Sequence, residues 1–141
     1  MSSLPAAETP IWRTATCHCG RVSVAIPRKP DEINECRCSL CYAYGALWAY
    51  YPRHQVTVTT TTAGIINGSE DASIDTGSRK YIRTDKDGTG NLSFNYCTHC
   101  GVMTHWWEEP RNTDPDRLMG VNMRIAGEDA IEGVAREVNY E

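Results

Sequence analysis

No stretch of this 141-residue chain approaches the roughly 18 consecutive apolar residues that a bilayer-crossing helix requires. Positions 1–10 lack both the basic start and the apolar centre of a secretion signal. A soluble, cytoplasmic protein with no membrane partner is predicted. Clustered positive charge is missing as well: 14 Lys and Arg stand against 18 Asp and Glu, for a formal net charge of −4. The basic residues are scattered and form no stripe able to offset phosphate charge, so no nucleic-acid partner is expected. There is no tandem repeat, no low-complexity tract and no break in composition that would divide the chain. The length suits one domain. The small, polar, proline-bearing positions 1–10 read as a flexible tail, and 11–141 as a single domain.

What the chain does have is cysteine, seven in all. An odd count, tight spacing and a reducing compartment argue against disulfides and for metal. The cysteines fall into Cys17-His18-Cys19-Gly20, Cys36-Arg37-Cys38-Ser39-Leu40-Cys41 and Cys97-Thr98-His99-Cys100-Gly101. Zinc takes four ligands tetrahedrally, at a sulfur distance of about 2.3 Å, and two tight-turn pairs complete one such site. Cys17/Cys19 and Cys97/Cys100 have that shape, each followed by a glycine that permits a tight turn and aims N–H groups at sulfur. The intervening His18 and His99 are expected to face solvent.

Cys36, Cys38 and Cys41 remain. Three protein ligands and one exchangeable position mark a reactive zinc site, whereas four mark a structural one. The alternatives are a second structural site completed by His54 or His105, and a redox thiol cluster. Three thiolates leave zinc with a net charge near −1, a poor acceptor for activating water and a better partner for a soft sulfur substrate. A bound thiolate takes the centre to about −2, which calls for cationic or N–H donor help, from Arg37 or Arg53. Asn122, in an otherwise apolar run, bridges strand and loop or binds substrate if buried, while alternation equally allows it to face outward.

Period-two alternation predicts a mainly β chain. Strands are expected at Trp12–Thr16, Val22–Ile26, Ala46–Tyr51, Gln55–Thr62, Arg79–Arg83, Leu92–Tyr96, Val102–Glu108 and Met119–Ile125. Residues 31–45 carry the cysteine trio and then a turn or brief helix, and Ile131–Tyr140 is ambiguous. Turn-rich loops are expected at 67–76, 85–91 and 110–115.

With those motifs, and Val121-Asn122-Met123, the chain resembles the glutathione-dependent formaldehyde-activating enzymes, a family that includes centromere-protein-V-like proteins. The resemblance spans about Trp12 to Ile125. It implies an Mss4-like fold of twisted antiparallel sheets with zinc knuckles, a structural zinc on Cys17, Cys19, Cys97 and Cys100, and a catalytic zinc on Cys36, Cys38 and Cys41. The implied activity is that of a carbon–sulfur lyase, joining glutathione or another small thiol to a small electrophile, as in S-hydroxymethylglutathione formation. Many relatives carry arginine after the third cysteine of the trio, where this chain has Tyr42, and a phenol does not replace a guanidinium. Tyr42, Tyr44, Trp48 and Tyr51 would suit a more aromatic substrate. The expected substrate-binding set is Arg37, Tyr42, Trp48, Arg53 and Asn122; the alternative function is a non-catalytic zinc-stabilised module for a protein or thiol metabolite.

Overall fold

In the computed structural model, described for residues 9–61, 64–65, 77–83, 91–109 and 116–140, the chain builds two sheets. The first joins β1 (Arg13–Thr16), β2 (Val22–Ile26), β5 (Thr57–Thr60) and β6 (Gly64–Ile65) in the order β1-β2-β5-β6. The second adds β3 (Glu32–Cys36), β4 (Trp48–Pro52), β7 (Ser78–Arg83), β8 (Leu92–Cys97), β9 (Met103–Glu108), β10 (Leu118–Asn122) and β11 (Ala135–Asn139). Its order is β11-β3-β4-β10-β9-β8-β7. All pairings are antiparallel except β11 with β3, which runs parallel and sets Asn139 opposite Cys36. The expected loops at 67–76 and 110–115, the loop at 85–91 apart from Asn91, and nearly all of the tail lie outside the described residues.

The strands follow their side-chain chemistry. Val22, Val24 and Ile26 alternate inward on β2, and Val56 and Val58 are buried at the entry to β5 and within it. These residues pack on Ile33, Ala49, Tyr51, Met119 and Val121 from one face of the larger sheet, forming the main core. On the other face lies a second core of Cys38, Cys41, Ala46, Trp48, Phe94 and Met103. Successive strand residues point to opposite faces, so Trp48 and Tyr51 serve different cores. The late strand ends sooner than expected: beyond Asn122 the chain turns into a single 3-10 turn, Met123–Ile125. Pro52 closes β4, paired with Leu118 at the strand's end, where its missing N–H costs little.

Beyond the two-residue β6, two strands were hidden in the sequence. β3 lies within the segment read only as cysteine-bearing, and β11 resolves the ambiguous end of the chain. The brief helix is real: α1 (Ser39–Tyr44) is six residues long, starts at Cys38 and stops at Gly45. Among the described residues no helix is long and apolar enough to cross a membrane.

Candidate metal centres

The first cysteine group forms at the tips of two hairpins from different sheets. Between β1 and β2, Gly20 N donates to Cys17 O at 3.0 Å and Cys17 N to Val22 O at 3.0 Å. Between β8 and β9, Gly101 N donates to Cys97 O at 2.9 Å and Cys97 N to Val102 O at 3.0 Å. Both turns close through a glycine in the left-handed region, φ 82° at Gly20 and 77° at Gly101, which a side chain would strain. Amides then point at sulfur: Val22 N lies 3.3 Å from Cys17 Sγ, and His99 N 3.4 Å from Cys97 Sγ. Cys19 Sγ stands 3.6 Å from both Cys17 Sγ and Cys97 Sγ. A zinc–sulfur bond of ~2.3 Å in a tetrahedron makes each sulfur–sulfur edge about 3.8 Å, so the donor set fits the ion. His18 and His99 are exposed, as expected. Burial pushes the Cys19 thiol up to about 11. At Cys100 burial acts in the same direction, but the N–H groups of Cys19 and Val102 outweigh it and bring the thiol down to about 6.

The second group is built by the end of β3 and the start of α1. Cys36, Cys38 and Cys41 bring their sulfurs within 4.8 Å of one another, and no fourth Cys, His, Asp or Glu among the described residues joins them. Cys38 caps the helix, its Sγ accepting from Cys41 N at 3.3 Å. Burial pushes Cys41 up to about 12 and raises Cys36. Burial also opposes ionisation of Cys38, yet the Cys41 N–H and the neighbouring thiols lower it, so Cys38 ionises first. The Trp48 indole N–H is buried without a well-formed hydrogen bond, and it pulls down on the Cys41 thiol beside it. A buried donor beside the Cys41 sulfur suits an anionic, metal-binding thiolate there.

The remaining sequence-derived site residues scatter. Trp48 lies beneath the trio, its ring 6.1 Å from Phe94. Tyr42 sits on α1, 70% exposed. Arg37 turns toward the chain end: Nε donates to Glu35 at 2.7 Å, and the guanidinium covers the Tyr140 ring at 5.5 Å. Arg53 stacks 4.7 Å over Trp107 on the main-core face, away from the trio. Asn122 is a clamp: Nδ2 donates to Met103 O at 2.9 Å, while Oδ1 accepts from Leu47 N at 3.3 Å and Arg124 N at 3.2 Å. His54 pairs with Asp116 and His105 is buried against Thr104, so neither completes the second group. Tyr51 donates to Arg28 O on the opposite face from Trp48.

Sequence reasoning missed Arg83, whose Nη1 lies 3.7 Å from Cys38 Sγ. Trp106, which its residue type marks first as a core or sheet-face residue, lies across Gly120 so closely that a Cβ there would meet Nε1 at 2.0 Å. Trp106 stands edge-on to the half-exposed Tyr50, 5.9 Å away, and Asn34 Nδ2 donates to the Tyr50 hydroxyl at 2.5 Å. Cross-strand pairing puts Asn34, Trp48, Tyr50, Trp106 and Phe94 on the trio's side of the sheet.

The profile of the glutathione-dependent formaldehyde-activating enzyme family matches residues 12–130. The chain belongs to this family. Family membership carries the Mss4-like fold, and the geometry carries two cysteine clusters able to bind metal. Comparison with curated proteins finds no match. Among solved structures, a crystal structure of a Rhodobacter sphaeroides protein, a structural genomics target, superposes with a TM-score of 0.57 at 23% identity. The alignment covers 91% of this chain and 99% of that one, a likeness of fold.

Proposed function

We propose that the protein is a zinc-dependent carbon–sulfur lyase that joins glutathione or another small thiol to a small electrophile, or separates them. The observation that carries this reading is the trio of sulfurs within 4.8 Å, built by one short segment, against the four-sulfur cluster that joins two sheets. Cys36, Cys38 and Cys41 would hold the catalytic ion, and Cys17, Cys19, Cys97 and Cys100 the structural one, in a single domain from residue 11 onward. Zinc bound at the trio supplies a lowered thiol pKa and hence a thiolate nucleophile near pH 7.

The chain's own residues define the rest. The Trp48 N–H faces the Cys41 sulfur, and the buried face beneath the trio keeps water from its inner side. Tyr50 and Trp106 offer an aromatic wall on the same face. In the forward direction the sulfur–carbon bond forms as the carbonyl π bond opens, and the thiol's proton ends on the new hydroxyl. Holding both reactants replaces a bimolecular encounter with an intramolecular one. Formaldehyde with glutathione is the first pair to test, and the reduced thiol pool of the cytoplasm is the compartment this chemistry needs.

The test is zinc-replete protein assayed with formaldehyde and glutathione, beside Cys38→Ser. Turnover above the uncatalysed rate, lost in the variant while its fold persists, is the expected result. Thiol binding without turnover on any aldehyde would convert the reading to a binding module.

A further inference from the structure

The cation at the trio comes from a distant strand. Arg83 ends β7 opposite Leu92 of β8, and Tyr81 two residues earlier lies opposite Phe94. Leu92 and Phe94 both belong to the core that holds Cys38 and Cys41, so this face of β7 is the face of the trio. From there Arg83 Nη1 reaches Cys38 Sγ at 3.7 Å across 45 residues of chain. Three other arginines are directed elsewhere: Arg37 to Glu35, Arg53 to the Trp107 ring, and Arg124 Nε to Gly45 O.

Charge gives this contact a role. Zinc with three thiolates carries about −1, and an anionic fourth ligand makes it about −2, at a partly buried site where screening is weak. A guanidinium beside Cys38 offsets that added charge and donates to its sulfur. Resting on the metal–thiol reading above, we infer that Arg83 is a positioning residue that makes the trio's metal select an anionic fourth ligand, the thiolate of a small thiol. Outer-shell partners of this kind alter metal-site affinities by about 10–100-fold.

The test uses the full chain with cobalt(II) in both sites, titrated with glutathione and separately with thiocyanate, and followed by the cobalt ligand-field and sulfur-to-metal absorption bands. Arg83→Met is expected to keep two metals per chain and to bind both anions about 10–100-fold more weakly, with a flatter dependence on ionic strength. Arg83→Lys, which keeps the charge but not the planar fork, is expected to fall between. Wild-type affinity and salt dependence in a metal-replete Arg83→Met would overturn the inference while leaving the thiol chemistry standing. If the wild-type protein takes up neither anion, the exchangeable position fails, and the role of Arg83 falls with it. Should Arg83→Met not fold, Arg83→Lys decides, since unchanged affinity and salt dependence there, together with wild-type binding in Arg83→Gln, contradict the role.

Discussion

Cys19 Sγ lies 3.6 Å from Cys97 Sγ although 78 residues separate them, and the two belong to hairpins of different sheets. A metal at this point cross-links the small sheet to the large one above the main core. The second cysteine group comes from one short segment and joins nothing distant through its ligands. The two clusters should therefore differ in what their loss does to the fold.

Cys97→Ser is expected to lose one zinc per chain and more than about 3 kcal/mol of stability, since metal affinity at such a site is folding free energy. Cys38→Ser should also lose zinc, yet leave the denaturation midpoint near that of the parent. Metal analysis with urea denaturation checks both. Equal destabilisation by the two variants would contradict the division of roles.

Asn122→Ala strands the Leu47 N–H and the Met103 carbonyl in the interior, at an expected cost of about 2–4 kcal/mol. A substrate-binding Asn122 would instead show a raised KM with unchanged stability. Denaturation and steady-state kinetics on the same preparation separate the two.

Gly120→Ala drives a Cβ into the Trp106 indole, a displacement expected to cost about 1–3 kcal/mol and to shift tryptophan fluorescence. In a Trp106→Leu background the same substitution should cost well under half as much. A cost independent of residue 106 would refute the contact.

How much of this was visible in the sequence depends on range. The knuckles were legible because two cysteines, a glycine and the flanking strands all lie within a few residues. β2 was legible because Val22, Val24 and Ile26 alternate. β3 and β11 were not: β11 is largely exposed, β3 buries only Ile33 fully, and their parallel pairing joins segments about a hundred residues apart. Arg83 was illegible for the same reason, since a strand-end arginine carries no mark of the sulfur it will reach. Arg37, between two cysteines of the trio in sequence, drew attention that its pairing with Glu35 does not support. Arg53 lies past the end of β4, in the 3-10 turn Arg53–Gln55, and stacks on Trp107 of the main core, a placement that proximity in the chain does not reveal.

His105 gives a pH signature. Burial, aided by the charge of Arg53, pushes its imidazole down to about 3, from an ordinary value of 6.5. The unfolded chain therefore takes up a proton first as pH falls. The stabilisation is fully present above about pH 6.5 and is lost on the way down toward 3. Below pH 6 the parent should lose about 1.4 kcal/mol per pH unit more than His105→Asn, measured as the difference in slope of unfolding free energy against pH. Parallel slopes would mean that His105 protonates in the folded state.

The central claim is that one metal is closed by protein and the other accepts a thiol. Zinc X-ray absorption on the doubly loaded protein tests it most directly. The account predicts about 3.5 sulfurs per zinc on average before glutathione is added and about 4 afterward, with the lighter scatterer lost. Four sulfurs per zinc from the start, or about 3.5 unchanged at saturating glutathione, would contradict it.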